Sequence, residues 1–397
     1  MRFKVDMKVY LPVISSLLIL IFIGCFSNAK LARQNIADLY LPQNKFKQSI
    51  VEFEVINQGK SIELLFNLNT INIKASNFKA KLTLNLYNNV KTVTPLREIV
   101  QPIEFNNFKA TFAFDIFDAY DLISYKIEAT NLKESITGFL KIDELNNNDL
   151  IITNNTKPNK ASYLIKNEII NFKVENVLVK YFDTSNYIAL APYITNPKRL
   201  IAKPAITAET TLKETIFAPQ QNGYYLFEND EKYKGILCVG EDFPEINDLK
   251  NYALTLRYIT KNEELLKILA NENLETAIDS FWLSIGNNYE RANRIKQEYL
   301  LRITTSNTYF SSFLAGWQTD RGMIYTTFGT PNEVYKTEEG ENWYYTNDQI
   351  QFKFIKKIVL ANYNHYQLQR SENLALYWHH AVNKWRNGHI KSTVIVK

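Results

Sequence analysis

Cysteine is scarce in this chain, where Cys25 and Cys238 are the two present among 397 residues. Two cysteines cannot supply the disulfide framework of a small secreted domain, and a chain of this length can bury a sufficient apolar core without one. Cys238 lies in the apolar run Gly235–Val239, so we predict a small, buried hydrophobic side chain in a strand there. Cys25 instead follows an N-terminal apolar run, so we do not predict the same buried role for it.

Glycine and proline are also infrequent, with 12 and 11 residues respectively, which argues against long flexible linkers. Apolar residues make up 46% of the chain, and Tyr and Phe number 24 each. This is a globular composition with an aromatic bias, and the length suggests about two or three domains.

No dense stripe of Lys and Arg is present. The net charge of +5 falls to +3 without residues 1–24, which hold three basic residues and one acidic residue. Proteins that bind nucleic acids concentrate basic residues on one face or along one helix. We therefore predict no nucleic-acid partner.

The residue clusters that many catalytic and metal sites require are missing from the sequence. It has no His-Glu-x-x-His motif, no glycine-rich phosphate loop and no Gly-x-Ser-x-Gly elbow. The four histidines are His365, His379, His380 and His389. His379 and His380 are adjacent and would point about 100° apart on a helix. With no cysteine pair either, we predict no metal site and no catalytic residues.

Paired carboxylates for glycoside hydrolysis need only to meet in space, so sequence spacing does not exclude them. Glu338, Glu339 and Glu341 lie close to aromatic residues. We favour a solvated hairpin tip for these three residues. Such a pair would suit a hydrolase that acts on envelope polymers, which is one functional alternative.

The N-terminus has the parts of a secretory signal. They are the basic residues Arg2, Lys4 and Lys8, the apolar run Val9–Ile23 and the pair Gly24-Cys25. The run is shorter than the ~20 residues that a membrane-spanning helix needs. The Gly-Cys end resembles a bacterial lipobox, which implies cleavage before Cys25 and a covalent lipid on its thiol. An uncleaved N-terminal anchor is the alternative.

A lipidated Cys25 would hold the chain on a membrane, since a triacylated N-terminus carries more than one chain. The following segment Phe26–Lys30 has no acidic run of the kind that resembles a surface-export signal. We therefore favour the periplasmic face of the membrane over the cell surface.

Apolar–polar alternation dominates residues 48–147 and predicts an antiparallel β-sandwich with one wet and one dry face per sheet. The alternating segments are Val51–Val55, Ile62–Leu68, Lys81–Tyr87, Ala110–Ile116 and Gly138–Ile142. A less regular block, residues 148–260, predicts a second sandwich. Its candidate strands are Phe172–Val179, Tyr187–Ala191, Thr211–Ile216, Gly223–Phe227, Lys234–Val239 and Tyr252–Tyr258.

The apolar period becomes helical after residue 260. Leu274–Ile285 and Ala292–Leu314 predict two helices with a turn at Gly286–Asn288 between them. A solvated outer face is predicted for Arg291, Arg294, Lys296 and Arg302. Further predicted strands are Met323–Phe328, Trp343–Tyr345, Ile350–Ile355 and Tyr363–Leu368. A last helix is expected to begin at the N-cap Ser371 and to end before Gly388.

One segment resembles the signature of a known family. Gly316-Trp317-Gln318-Thr319-Asp320-Arg321-Gly322, followed by Ile324-Tyr325 and Phe328-Gly329-Thr330-Pro331, is similar to the signature of the GWxTD-domain family of bacterial envelope lipoproteins. Other matching residues are Phe281, Trp282, Asn293, Glu298, Tyr299, Arg302, Trp343-Tyr344-Tyr345 and Phe352-Lys353-Phe354. The resemblance covers roughly residues 274–370, and Met323 stands where the family has a second arginine. It implies an outer-membrane, Bacteroidota-like lipoprotein, and no catalytic residues can be carried over from it.

The residue types of this signature predict mainly structural roles. We expect Trp317 to anchor the core, Asp320 to accept backbone or arginine donors, and Arg321 to pair with a carboxylate or stack on a ring. Gly322 and Gly329 suit a positive φ or a close backbone approach. The alternative is a sugar or peptide clamp, since a Trp beside an Asp-Arg pair also suits a binding site.

We therefore predict a mainly β chain with an α+β C-terminal region. Its expected parts are a lipoprotein-type signal peptide (1–24), a tether (25–47), two antiparallel β-sandwich domains (48–147 and 148–260) and a GWxTD-like domain of helices and a small sheet (261–397).

The leading functional hypothesis is a non-enzymatic, lipid-anchored scaffold or interaction subunit of an outer-membrane assembly. In it, the two sandwiches present the C-terminal domain to other envelope proteins. The alternative is a glycan- or peptidoglycan-binding lipoprotein with exposed rings of Trp317, Trp343 and Tyr344 as the platform. The candidate interaction residues are Trp317, Asp320, Arg321, Gly322, Tyr325, Gly329, Pro331, Trp343 and Tyr344.

Overall fold

A computed structural model provides the architecture of the chain. It describes residues 35, 37–40, 51–57, 61–68, 77–87, 95–106, 109–115, 122–129, 136–141, 151–153, 163–172, 174–195, 205–230, 232–336, 339–358 and 364–390. The predicted signal peptide and Cys25 lie outside these residues. Among the described helices, none combines the length and apolar character needed to cross a bilayer.

The first seven strands, within residues 51–141, form an antiparallel sheet. Its strands are β1 (Val51–Asn57), β2 (Ser61–Leu68), β3 (Asn77–Tyr87), β4 (Arg97–Asn106), β5 (Lys109–Asp115), β6 (Leu122–Ala129) and β7 (Ile136–Lys141), in the order β1-β2-β5-β4-β3-β6-β7. Alternation fixes the buried face, since Leu82, Leu84 and Leu86 of β3 are buried and Lys81 is exposed. The link between β4 and β5 is the single pair Asn106↔Lys109.

The middle of the chain builds two smaller sheets. The strands are β8 (Ile151–Thr153), β9 (Tyr163–Ile165), β10 (Ile170–Phe172), β11 (Val177–Phe182), β12 (Ala208–Leu212), β13 (Ile216–Phe217), β14 (Gly223–Asn229) and β15 (Lys232–Val239). Their orders are β13-β10-β8 and β12-β11-β14-β15-β9, with β9 parallel to β15. Phe172 and Phe227 join both sheets in one core. The finer layout of two sandwich domains stays a prediction.

Cys238 lies in β15 and is 1% exposed, as the sequence predicted. Burial raises the pKa of its thiol to about 12, so the group stays protonated and unreactive at neutral pH.

Two predicted strands of this region are absent from the structure. Residues 187–191 are irregular chain, because Ala189 donates its backbone N–H to the Gln318 carbonyl of the C-terminal region instead of joining a sheet. Tyr252–Tyr258 is helical, since the Asp248 carboxylate accepts from the Asn251 backbone N–H and caps a helix there.

The C-terminal region contains six described α-helices. They are α1 (Leu249–Thr255), α2 (Asn262–Leu269), α3 (Leu274–Gly286), α4 (Tyr289–Phe310), α5 (Asp320–Phe328) and α6 (Leu374–Arg386), with short 3-10 helices at Leu256–Tyr258, Gly316–Gln318 and Thr346–Asp348. The turn between α3 and α4 is confirmed, with Asn287 at φ 63° and Asn288 as the N-cap. Helix α4 ends at Phe310, four residues before the predicted Leu314.

Three further expectations for this region are corrected by the structure. Met323–Phe328 is a helix rather than a strand, because Thr319 caps it and every side in its first two turns is buried, which hides the helical period. The N-cap of α6 is Asn373, although Ser371 accepts from the Leu374 N–H through its backbone carbonyl. Arg302 is 8% exposed and belongs to the core instead of a solvated face.

A four-stranded antiparallel sheet packs with these helices. Its strands are β16 (Glu333–Lys336), β17 (Gly340–Tyr345), β18 (Ile350–Ile358) and β19 (Asn364–Leu368), in chain order. Fully buried rings of Trp282, Trp343 and Trp385 lie in the shared core. Gly388 has φ 64° just after α6, as its predicted C′ position requires.

Asn35 and the 3-10 helix Ala37–Tyr40 pack onto this C-terminal core, and we call them the N-terminal strap. Tyr40 is 1% exposed and Ala37 is 5% exposed. The predicted tether, 25–47, therefore includes residues that belong to the core of a region some 300 residues away in the sequence.

Candidate functional site

The signature segment, Gly316–Gly322, turns the chain from α4 into α5, and two of its glycines allow the turn to be tight. A Cβ on Gly316 would lie 1.8 Å from the Ser306 carbonyl oxygen, and one on Gly322 would lie 1.9 Å from the Gly316 carbonyl oxygen. Backbone atoms cannot yield to such contacts as a flexible side chain can. Close approach, one of the two roles predicted for Gly322, is therefore confirmed.

Trp317 is a core residue, as predicted, with 4% of its surface exposed. Its backbone N–H donates to Asn307 Oδ1 at 3.0 Å, and its carbonyl accepts from the Tyr258 hydroxyl at 2.7 Å. The tryptophan is thus fixed from both α4 and the helical segment after α1.

Thr319 caps α5 from within the signature segment. Its Oγ1 accepts from the Gly322 backbone N–H at 3.0 Å and donates to the Gly316 carbonyl at 2.7 Å. The side chain is 2% exposed, so both hydrogen bonds are made out of contact with water.

Asp320 joins α5 to the end of β19. Its Oδ2 accepts from the Leu368 backbone N–H at 2.7 Å and from Arg370 Nη1 at 2.9 Å, while Oδ1 accepts from Arg370 Nη2. The side chains of Asp320 and Arg370 are 2% and 5% exposed. This bidentate pair confirms the predicted role of Asp320 as an acceptor of backbone and arginine donors.

Arg321 fills both of its predicted roles at once. Its Nη1 donates to Glu341 Oε1 at 3.2 Å, and its guanidinium lies 3.8 Å from the centroid of the Tyr366 ring. Burial opposes the charged form of Arg321, but the Glu341 carboxylate together with Tyr40 and Tyr366 outweighs it, so the pKa of Arg321 is raised above its ordinary value. Arg321 therefore stays charged in a buried site.

Glu341 is 0% exposed, and its carboxylate accepts hydrogen bonds from three side chains. The Arg321 guanidinium and the Tyr40 hydroxyl donate to Oε1, at 3.2 and 2.9 Å, and the Trp343 indole donates to Oε2 at 3.0 Å. Burial and then the charge of Glu341 raise the pKa of Tyr40 well above its ordinary value, so its hydroxyl keeps the proton that it donates.

A second buried ion pair lies on α4. Arg302 Nε donates to Glu298 Oε1 at 2.8 Å, and its guanidinium lies 4.8 Å from the Trp385 ring of α6. Arg302 also faces the carbonyls of Thr326 and Thr327, at 3.4 Å, where α5 ends. This residue connects α4, α5 and α6 through polar contacts.

His365 is buried beside these pairs, with 4% exposure. Its Nδ1 lies 3.3 Å from Ser312 Oγ, and its Nε2 has no hydrogen-bond partner among the described residues. Burial lowers the pKa of His365 to about 4; Asp320 opposes the shift, while Arg321 and Arg370 add to it. The imidazole is neutral at physiological pH.

Two of the three rings predicted as an exposed platform are inside the protein. Trp317 and Trp343 are 4% and 0% exposed, and Tyr344 keeps partial exposure on β17 beside Tyr335. Buried rings cannot stack on a sugar, so Trp317 and Trp343 are not available for such a platform.

The other candidate interaction residues are buried as well. The Tyr325 hydroxyl donates to the Tyr40 carbonyl at 2.7 Å, Gly329 has φ 86° after α5, and Pro331 lies in the turn that follows. Positive φ at Gly329 confirms the second conformational role expected of these glycines.

Two of the carboxylates considered for hydrolysis, Glu339 and Glu341, lie in different surroundings. Glu341 is buried in the core, which corrects the expected hairpin tip, and Glu339 is exposed and paired with Lys353. Glu338 lies outside the described residues. Within the described part of the chain, no group of three or more His, Cys, Asp or Glu residues could hold a metal ion.

Sequence reasoning missed Arg370, Tyr40 and the burial of Glu341 and Arg302. Arg302 and Glu298 carry a detectable signal, because an acidic and a basic residue four apart on a helix can pair. Arg370 and Tyr40 lie 50 and 285 residues from their partners Asp320 and Tyr325, and no local pattern marks them.

Through these contacts the signature segment connects several secondary-structure elements, and we call it the signature joint. Its charged side chains are paired inside the protein, its glycines touch backbone, and its tryptophan fills the core. Such a joint fixes the relative positions of α4, α5, the four-stranded sheet and the strap.

One known protein family matches the part of the chain that contains the signature segment. The model of the GWxTD domain matches residues 223–387. Residues 223–387 are thus similar to the GWxTD domain. The match extends the resemblance in both directions and begins at β14, so the last two strands of the middle region belong to the matched segment.

Comparisons with individual proteins add little. No curated protein matches the chain. Among solved structures, the BSP domain of a biofilm-associated protein is similar over 49% of this chain and 30% of that chain, with 11% identity and a TM-score of 0.18. The chain thus spans less than a third of that structure.

Proposed function

We propose that this chain is a non-enzymatic, lipid-anchored protein of the bacterial cell envelope, which acts as a scaffold or interaction subunit of an outer-membrane assembly. The observation that carries the proposal is the internal use of the signature's chemistry. Asp320 and Arg321 are engaged by Arg370 and Glu341 inside the core. Catalytic acids and bases must reach a substrate, whereas these groups hold elements together.

Anchoring is supported by the N-terminal sequence. A basic start, a short apolar run and Gly24-Cys25 form the parts of a lipoprotein signal. A lipidated N-terminus is held stably when it carries more than one acyl chain. We therefore propose the periplasmic face of the outer membrane as the location.

The two alternatives have less support. A glycan platform would need exposed rings, but Trp317 and Trp343 are buried. A polymer hydrolase would need two carboxylates facing a cleft, but Glu341 is enclosed by Arg321 and Tyr40. A protein-interaction role requires neither feature.

Purification of the full chain from its native membrane under mild detergent tests this proposal. We expect it to elute with other envelope proteins, and mass spectrometry should find the mature N-terminus at a lipid-modified Cys25. The matched control is Cys25→Ser, which should leave the membrane fraction. Recovery of the free monomer alone would contradict the assembly role, and a mature chain that starts at an unmodified Met1 would contradict the anchor.

A further inference from the structure

The N-terminal strap is held by the GWxTD domain at both of its ends. At the first end, Asn35 Oδ1 accepts from the Val334 backbone N–H at 2.9 Å, and its Nδ2 donates to the Asn332 carbonyl at 3.1 Å. Val334 lies in β16, which has β17 as its neighbour in the sheet order. Asn35 therefore attaches the chain to this edge strand.

At the second end, Tyr40 is built into the core. Its ring centroid lies 5.0 Å from that of Phe310 and 5.5 Å from that of Trp343. Its hydroxyl donates to the buried Glu341, and its carbonyl accepts from the Tyr325 hydroxyl. The contacts of Tyr40 thus use the same Arg321–Glu341 pair that the signature segment provides.

The number of residues between Cys25 and the strap limits the distance from the proposed anchor to the folded protein. Cys25 precedes Asn35 by ten residues, whereas it precedes Val51, the first residue of β1, by 26 residues. An extended chain spans at most ~3.6 Å per residue, which gives a reach of about 35 Å to Asn35 and about 90 Å to Val51. The strap therefore shortens the path from the proposed anchor to the folded protein by more than half.

We propose that the strap ties the lipid anchor directly to the GWxTD domain, so that its β16 edge faces the lipid surface. This inference rests on the proposed lipid anchor at Cys25. The arrangement differs from the linear order along the sequence, in which the seven-stranded sheet separates the membrane from the C-terminal domain. Here the sheet follows the strap in the chain, and the signature joint is the membrane-proximal part.

Energy transfer to labelled lipids measures the distance from the domain to the membrane. The full lipidated chain is placed in phosphatidylethanolamine–phosphatidylglycerol vesicles that carry an acceptor on their headgroups. The donor is attached through Thr346→Cys, because Thr346 is exposed and its backbone N–H bonds to Asn332, next to Asn35. Cys238 is 1% exposed and stays unlabelled.

Two insertions of the same 20-residue Gly-Ser segment provide the decisive comparison, since such a segment adds about 25 Å of r.m.s. reach. One insertion follows Lys30, between the anchor and the strap, and the other follows Lys45, between the strap and β1. With the strap in place, the first insertion should lower the transfer efficiency by roughly half. The second should leave it unchanged.

The outcomes separate the two proposals. Equal losses from both insertions would overturn the strap inference, because both lie between Cys25 and Val51, and so would no loss from either. If the unaltered chain is no more vesicle-bound than its Cys25→Ser variant, the anchor itself fails. The double variant Asn35→Ala/Tyr40→Ala should lose transfer even without an insertion, whereas Tyr289→Ala, at a tyrosine 78% exposed, should not.

Discussion

At the residue scale, Asp320 connects two parts of the GWxTD domain that lie 50 residues apart. Its carboxylate serves the Leu368 backbone N–H and both terminal nitrogens of Arg370. A buried ion pair adds little net stability relative to apolar residues of the same shape, but removing one partner leaves the other charge uncompensated. Removing one partner of such a pair therefore lowers the free energy of unfolding by more than the intact pair adds to it.

We expect Asp320→Asn to lower the free energy of unfolding by about 3–5 kcal/mol, because Arg370 stays charged and buried without a counter-ion. Chemical unfolding followed by circular dichroism measures the change. Glu339→Gln is the matched control, since the Glu339–Lys353 pair is exposed and should contribute no more than about 1 kcal/mol. Equal effects of the two substitutions would contradict the role given to Asp320.

Gly316 offers a test that involves no charge. Gly316→Ala places a Cβ against the Ser306 carbonyl oxygen, so α4 and the signature segment must move apart, at an expected cost of about 1–3 kcal/mol. Gly240→Ala is the control, because no atom lies within 4 Å of its added Cβ. Thermal unfolding of both variants should show a lower midpoint for Gly316→Ala; similar midpoints would refute the close approach.

His365 makes stability depend on pH. Its pKa is about 4 in the folded chain and 6.5 when unperturbed, so the unfolded state binds the proton first as the pH falls. Stability is therefore unaffected above pH 6.5 and decreases as the pH falls from 6.5 towards 4, by about 2 kcal/mol between pH 7 and pH 4.5. Urea unfolding at the two pH values measures this loss.

His365→Phe removes this titration and keeps a ring beside Phe313, so it should lose about 2 kcal/mol less than the native chain over the same interval. The other ionisable side chains are the same in both proteins, so the comparison isolates the contribution of His365. The exposed His380→Gln should behave as the native chain does. An unchanged pH dependence in His365→Phe would reject the role of this histidine.

At the element scale, α5 shows where sequence patterns stop being informative. Its nine residues include eight that are buried, so no polar face reveals the helical period and the segment resembles a strand. The N-cap residue Thr319 was a feature of the sequence that could have indicated a helix here. In contrast, the apolar–polar period of the sequence predicted helices α3 and α4 and strands β1, β2, β3, β5 and β7.

Two strands of the first sheet were missed for different reasons. Strand β4 contains Pro102, which lacks the backbone donor that a ladder uses and weakens a strand prediction. Strand β6 does alternate, with Ile123, Tyr125 and Ile127 buried, so its signal was present. Local chemistry likewise predicted what Asp320 and Arg321 do, but their partners depend on tertiary contacts that no local pattern encodes.

The cap of α5 can be tested separately from its packing. Thr319→Val keeps the shape but loses the hydroxyl, which leaves the Gly322 N–H without its acceptor, and should destabilise the protein by about 1–3 kcal/mol. Thr319→Ser keeps the hydroxyl and loses one methyl group, at about 0.8 kcal/mol. Chemical unfolding should rank valine below serine; the reverse order would show that packing of the methyl group matters more than the cap.

At the scale of the whole molecule, the strap packs into the core of the GWxTD domain from a distant part of the sequence. Tyr40 and Glu341 are 301 residues apart, yet one hydroxyl–carboxylate bond joins them in the core. The seven strands of the first sheet lie between these two residues in the sequence. No periodicity around residues 37–40 could have predicted this, because four residues carry too little pattern and their partners lie in distant elements.

The strap should therefore control the stability of residues far from it. Tyr40→Ala removes a fully buried ring from between Phe310 and Trp343, and we expect a loss of about 3–5 kcal/mol. Hydrogen exchange at the Val334 backbone N–H, which Asn35 accepts, should accelerate in this variant. Tyr40→Phe keeps the ring and loses only the bond to Glu341, so about 1 kcal/mol is expected. Tyr289→Ala should change neither stability nor exchange, and a Tyr40→Ala variant that behaves like it would show that the domain holds together without its N-terminal segment.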